Sequence, residues 1–239
     1  MFNWFKKSKT CPNCHLDSSW DGHKCIRCGY IENLAKKKPA LLAQVMDLFD
    51  PKTYNPQDLY YKKQLIPERP GVYAWYFDHY FSTLFHESPE PKVDFIELDI
   101  DRWGTKKWFL LYVGVAGEKK ERTLRDRIFG DHLNKNSKGS TFRQTLAALL
   151  YDELGLDPKK QLKGEDEKSK LNKWIFKHSK VAWVETDNPE KVESIMFEEF
   201  GQFLYFNIKG NRKNRFRKKL EHLRKYWRKS GTFWARLFK

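Results

Sequence analysis

The four cysteines of the chain fall within residues 11–28, as Cys11-Pro12-Asn13-Cys14 and Cys25-Ile26-Arg27-Cys28. Each CxxC turn points two sulfurs at one place, and the ten residues between the turns bring the second pair round to the first. Such a set suits a tetrahedral zinc ion. Four ligands leave no open position, so the metal would be structural rather than catalytic. A redox dithiol pair is the competing reading, although a redox CxxC normally comes singly on a βα unit. His15 and His23 stand nearby and read as loop residues, since four cysteines already complete the shell.

A second set of reactive side chains lies on apolar runs. Gly71-Val72-Tyr73 opens the run 71–77, and Tyr112-Val113-Gly114 closes the run 108–114. Val, Tyr, Trp and Phe at this density favour a pleated, buried surface, so both runs read as strands. Two tyrosines on strands are ordinarily core residues. Beyond the second run, Thr123 can cap a helix whose apolar face carries Leu124 and Ile128, and Arg127 lies on or beside that face. An arginine turned toward a sheet costs desolvation unless it meets an anion, and its planar fork suits a phosphate.

The elements that must position these groups follow from pattern and punctuation. Ala40 to Phe49 has the spacing of a short helix, with Leu41, Leu42, Val45, Leu48 and Phe49 on one face. Asn55-Pro56, Pro67 and Pro70 mark an irregular approach to the first strand. Val93 to Ile100 alternates with period two and predicts an extra strand, hairpinned to 108–113 through Asp101-Arg102-Trp103-Gly104. The charged stretch 155–170 reads as a solvated loop, and Val181 to Glu185 as a further strand. The expected fold is α+β, a small central, mostly antiparallel sheet flanked by helices.

The formal net charge is +15, which makes a polyanion the default partner. Residues 212–239 hold twelve Lys/Arg against Glu221 alone, so the basic field belongs mostly to the C-terminal end. There, Phe216, Leu220, Leu223 and Trp227 recur at helical spacing, and Phe233, Trp234, Leu237 and Phe238 form a second apolar cluster beyond Gly231. A basic amphipathic helix suits a phosphate backbone, a docked position with a solvated basic face, or an anionic membrane surface. The sequence contains neither an apolar run of transmembrane length nor a signal-peptide pattern, and the expected location is cytoplasmic.

Three features together resemble the GIY-YIG nuclease superfamily: a strand with Gly71-Val72-Tyr73, a strand with Tyr112-Val113-Gly114, and Leu124-Arg125-Asp126-Arg127 on a helix. Glu193-Ser194-Ile195-Met196-Phe197 resembles the family's metal-binding helix. Leu204-Tyr205-Phe206-Asn207, followed by Gly210-Asn211-Arg212, resembles its closing segment. The likeness runs from about Pro67 to Arg212, and the cysteine segment is similar to a zinc ribbon. The expected organisation is a ribbon over 1–32, a linker with a short helix over 33–66, a nuclease-like domain over 67–212 and a basic helix over 213–239.

The resemblance implies hydrolysis of phosphodiester bonds. Glu193 would hold one Mg²⁺ or Mn²⁺, with Glu198 or Glu199 as alternative ligands. Arg127 would stabilise charge on the phosphoryl oxygens, and Tyr73 would take a proton from water, directly or through Tyr112. That role needs a tyrosine pKa depressed from about 10 by Arg127 or the metal. Many members carry a histidine four positions after the helix arginine. Here Asp131 holds that place and His132 follows, as an assisting group or as a helix-end histidine. Arg143, Asn207, Arg212, Lys213 and Arg215 are candidate nucleic-acid contacts, Arg143 equally a surface residue of a capped helix and Asn207 equally a turn residue. The reading is a metal-dependent endonuclease acting on DNA, with structural zinc. The alternative is a non-catalytic zinc-ribbon nucleic-acid binder on a decayed nuclease domain.

Overall fold

The computed structural model describes residues 10–16, 20–83, 96–98, 106–117, 121–134, 140–158 and 164–229. Four strands form one antiparallel sheet in the order β2-β3-β1-β4. They are β1 (Gly71–Asp78), β2 (Glu97–Leu98), β3 (Trp108–Ala116) and β4 (Ser179–Glu185). The extra strand predicted between the two triplets thus exists in part, as β2. The turn expected at 101–104 lies outside the described residues.

Strand β1 is buried over its whole length, because helices cover both faces of the sheet. Tyr73, Trp75 and Phe77 point into one apolar cluster. That cluster includes Phe142 and Leu146 of α5 (Thr141–Leu150) and Leu171, Trp174 and Ile175 of α6 (Glu165–His178). Val72, Ala74 and Tyr76 point into a second cluster. It contains Leu42 and Val45 of α2 (Pro39–Met46) and Val192, Met196 and Phe200 of α7 (Pro189–Phe200). Two dry faces explain why β1 is a continuous apolar run and not an alternating one.

A β-bulge re-aims β3. Trp75 pairs with Tyr112 and Tyr76 with Leu110, so Leu111 is an extra residue on that strand. Its carbonyl, which the ladder cannot use, accepts the backbone N–H of Phe206 at 3.0 Å. Next to it, Asn207 clamps the outer edge of β3: its Oδ1 accepts Val113 N–H at 2.8 Å and its Nδ2 donates to Val113 O at 2.6 Å. The closing segment therefore covers β3 where the short β2 no longer can.

Several sequence expectations need correction. Residues 165–170 are not loop but the first half of α6. Glu165, Asp166 and Glu167 crowd its first turn and Lys177 and His178 its last, which complements the helix dipole, while Leu171, Trp174 and Ile175 supply the buried stripe. Asn55-Pro56 opens α3 (Pro56–Tyr61), with Asn55 accepting Gln57 N–H at 2.8 Å and proline at the first helical position.

The predicted basic helix is α8 (Arg217–Lys229). It buries Leu220 and Trp227 in the first cluster, and Arg224 donates to Gln144 of α5 at 2.7 Å. Its exposed side carries Lys218, Lys219, Lys225, Arg228 and Lys229. The apolar cluster expected at 233–238 lies outside the described residues. No helix among the described residues is long and apolar enough to cross a membrane.

The cysteine segment packs against the second cluster through Ile26, Tyr30 and Ile31, and continues into α1 (Glu32–Lys37). Gly29 takes a left-handed φ of 72° and lies against the ring of Phe49, leaving no room for a side chain. Phe49 in turn packs on Phe200 of α7, ring centroids 4.8 Å apart. Lys24 and His23 reach Glu199 of the same helix at 3.5 and 3.4 Å.

Replacing Asn207 with Ala leaves the Val113 N–H and C=O without their partners in a buried strand. The expected loss of stability is about 2–4 kcal/mol, read from urea unfolding midpoints at unchanged m. A loss under about 0.5 kcal/mol would show that the clamp does not hold this edge.

Candidate active site

The site lies on the first-cluster face of the sheet. Tyr73 pairs across β1 and β3 with Gly114, and its phenol lies over that glycine so closely that a β-carbon at 114 would collide with it. The bulge turns Tyr112 to the same face, its ring 6.2 Å from that of Tyr73. Both tyrosines are buried. His132 arrives from below: Tyr73 Oη and His132 Nε2 are 2.7 Å apart. The other ring nitrogen, Nδ1, lies 2.8 Å from Ser140 Oγ. Ser140 is also the N-cap of α5 and accepts the N–H of Arg143 at 3.1 Å. The rings of Trp75, Tyr112 and Phe142 enclose the imidazole.

The helix carrying His132 is a π-helix, Asp126–Asn134. Thr123 and Asp126 start it by a reciprocal cap: Thr123 N–H and Oγ–H meet Asp126 Oδ2 at 2.9 and 3.0 Å, and Asp126 N–H meets Thr123 Oγ at 3.2 Å. A π-helix takes more residues per turn than an α-helix, so residues five apart share a face. This is the physical reason that His132, one place later than the family pattern expects, still meets Tyr73. Asp131 shares the site face as well. It is 1% exposed and accepts Arg127 at 2.6 Å on Oδ2 and Arg122 at 2.9 Å on Oδ1. Arg127 also donates from Nε to Val115 O at 3.2 Å.

Glu193 approaches on α7 and is partly buried. Among the described residues, no hydrogen bond or ion pair holds its carboxylate. Burial pushes its pKa up to about 7, against the opposing pull of Arg127 and with a smaller upward push from Glu190. Burial also raises Tyr73 well above an ordinary phenol, and raises Tyr112; the Arg127 charge counters both without prevailing. The expected depression of Tyr73 is therefore absent from the substrate-free protein. His132 is pushed far down by burial and then by Arg127, Arg143 and Arg122, which leaves a neutral imidazole. An unpartnered carboxylate beside a guanidinium and two phenols is a suitable donor for one hard divalent cation, with water and phosphate completing its shell.

Five predicted residues from four separate elements thus share one locus: Tyr73, Tyr112, Arg127, His132 and Glu193. Others do not. Arg143 is fully buried and cannot reach a nucleic acid. The Ser140 cap turns it inward, where it donates to His132 O and to Asn172 Oδ1, both at 2.7 Å. Asn207 is spent on the β3 edge and is likewise no surface contact. Arg212, Lys213 and Arg215 are exposed ahead of α8, Lys213 donating to Glu198 O. Glu199 is engaged by Lys24 and His23 and Glu198 is exposed, whereas Glu193 is the one of the three whose charge Tyr73 and Tyr112 feel. Sequence pattern carries no signal for Asn172 or Arg122 at this site, and Ser140 shows there only as a residue type suited to cap the helix that bears Arg143.

The cysteines form a separate centre. All four sulfurs lie within 4.8 Å of one another, with Cys11–Cys28 at 3.7 Å and Cys14–Cys25 at 3.6 Å. Ligands 2.3 Å from a tetrahedral zinc would stand about 3.8 Å apart, so the set could hold that ion.

The sequence model of the GIY-YIG catalytic domain matches residues 71–226, which include both strand triplets, the π-helix, α7 and most of α8. The chain belongs to the GIY-YIG family. Neither the curated proteins nor the solved structures contain a match to it. Membership points to nuclease chemistry in general and to nucleic acid as the substrate class. In this GIY-YIG domain the second glycine of the name, Gly114, has a direct role: it makes room for the tyrosine of the first triplet.

Glu193 yields a test of sign. Its folded-state pKa lies above the ordinary carboxylate value, so the folded state carries no penalty at pH 4 and an increasing one as pH rises toward and through about 7. Without added divalent cation, Glu193→Gln should gain stability relative to wild type between pH 5 and pH 8, by about 1–3 kcal/mol after allowance for partial exposure. Thermal melts at the two pH values read it, and an equal difference at both would refute the buried-carboxylate account.

Proposed function

We propose that this GIY-YIG domain is a metal-dependent endonuclease that hydrolyses phosphodiester bonds, with DNA as substrate. The observation that carries this reading is the 2.7 Å contact between Tyr73 Oη and His132 Nε2, placed beside Arg127 and Glu193. A buried phenol alone is a poor base. A phenol in contact with a neutral imidazole can pass its proton on as it takes one from water, once the phosphate charge and the admitted water offset the burial and arginine charges that hold the imidazole's proton affinity down. The relay needs the His132 tautomer with hydrogen on Nδ1, which Ser140 Oγ is placed to accept. Arg127 binds the phosphoryl oxygens and stabilises the charge that develops on them. Glu193 would hold Mg²⁺ or Mn²⁺, which when bound supplies a positive charge for the phosphate and the leaving oxygen. Tyr112 orients the water or the substrate.

In this reading the cysteines hold structural zinc, and the ribbon with the basic face of α8 adds affinity for the nucleic-acid backbone. One observation favours the non-catalytic alternative: Tyr73 and His132 are 0% and 1% exposed, so water must be admitted when substrate binds.

Cleavage of plasmid, linear duplex and branched DNA with Mg²⁺ or Mn²⁺ tests the proposal. Glu193→Ala should abolish cutting, Arg127→Ala should slow it by about 10²–10³-fold and Tyr73→Phe should approach inactivity, all with unchanged folds. Wild-type protein that binds DNA tightly and in a salt-sensitive way, yet cuts none of these substrates, would replace the nuclease by the binder. Elemental analysis should find one zinc per chain, lost in Cys25→Ser together with part of the thermal stability. Full stability without metal would remove zinc from the account.

A further inference from the structure

The pair of arginines on Asp131 has a consequence for substrate binding that rests on the nuclease reading. Asp131 is 1% exposed, and a carboxylate buried to that degree calls for a cationic partner. Arg127 at 2.6 Å supplies one. Yet a second guanidinium, Arg122, meets the other carboxylate oxygen at 2.9 Å. Arg122 also donates to Asp126 O at 3.2 Å, from the same terminal nitrogen, Nη2. Its Nε and Nη1 meet no acceptor among the described residues, and neither does Nη2 of Arg127. The two side chains remain 31% and 26% exposed. Both guanidiniums hold the residue that precedes His132, and both charges are felt at its imidazole.

We propose that Arg122 is a second phosphate-binding residue of this active site, and that Asp131 is the positioning residue that presents Arg122 and Arg127 together. Each oxygen of one buried carboxylate orients one guanidinium. The anion also offsets the repulsion that two neighbouring cations would otherwise feel. The two partly exposed guanidiniums then stand on the two oxygens of one carboxylate, which suits a nucleic-acid backbone, where Arg127 takes the scissile phosphate and Arg122 a neighbouring one. The extra residue of the π-helix is what makes this arrangement available, because it lets Asp131 and His132 share the site face.

The test is binding, not cutting, so it does not depend on turnover. Fluorescence anisotropy of a labelled DNA duplex is followed against KCl concentration for the full chain in Ca²⁺, comparing wild type, Arg122→Gln and Arg122→Lys, with thermal melts alongside. Arg122→Gln should bind about 5–20-fold more weakly at low salt, and its slope of log K against log salt should fall by about 1. Arg122→Lys, which keeps the charge, should restore the slope. A residue that only braces Asp131 would lower the melting temperature and leave the slope unchanged. An unchanged slope in Arg122→Gln, with wild type binding normally, overturns the proposal and leaves the nuclease reading intact. If Arg122→Gln fails to fold, Arg122→Met, which keeps the apolar stem and removes the charge, takes its place: a slope lower by about 1 upholds the charge contact and an unchanged slope overturns it. Wild type that binds neither duplex DNA, single-stranded DNA nor RNA sinks the nuclease reading, and Arg122 with it.

Discussion

Strand β1 has no solvent-facing side. Both its edges are paired and both its faces are covered, so a polar atom it carries can find a partner only inside the protein, and Trp75 Nε1 finds none among the described residues. The Tyr73 hydroxyl is the demanding case. It lies over the one residue of β3 with no side chain and reaches the imidazole of His132. The rest of the site follows from that constraint. His132 has to be held at a fixed height, which Ser140 accomplishes at its ring nitrogen and Arg143, itself held by Asn172, at its backbone carbonyl. Tyr112 has to share the face, which the Leu111 bulge accomplishes. The bulge frees a carbonyl, and the closing segment takes it up.

Much of this frame was legible in the sequence because it is written in short-range pattern. The two aromatic runs, their glycines and the capped helix start at Thr123 each carry a local signal, and so do the paired cysteines. What was not legible is direction. Arg143 and a surface arginine look alike one helical turn past a Ser cap, and only tertiary packing decides that this one turns inward. Asn207 in a turn-like segment gives no hint that both ends of its amide bind one residue of a distant strand. Residues 165–170 are so charged that they read as loop. The apolar stripe that makes them helical begins only at Leu171, and the acidic first turn is a helix-start signal as much as a loop signal. His132 falls between these cases: its ring meets the Tyr73 phenol, and its spacing fits no α-helical template.

The cysteine segment is packed as part of the same body. Its second knuckle leans on Phe49, Phe49 on Phe200, and Phe200 belongs to the helix that bears Glu193. Lys24 and His23 grip that helix again at Glu199. The face of α7 turned away from the phenols is thus buttressed by the segment that could hold zinc. A helix carrying a partly buried carboxylate that meets no hydrogen-bond or ion-pair partner among the described residues gains from such backing.

Inserting a residue into an α-helix ordinarily rotates everything after it by about 100° and lifts it by 1.5 Å. The π-helix at Asp126–Asn134 shows a way to accept an added residue at no cost to the frame: the wider turn takes up the rotation where it arises, and Leu133 still enters the core. What such a site preserves is an angle about the helix axis, not a count along the chain. A shortened chain without residue 131 could therefore close to an ordinary α-turn, bring the histidine back under the same phenol, and lose only the carboxylate. The spacing in this motif is a variable that the backbone can adjust, and the added position is free to acquire chemistry of its own.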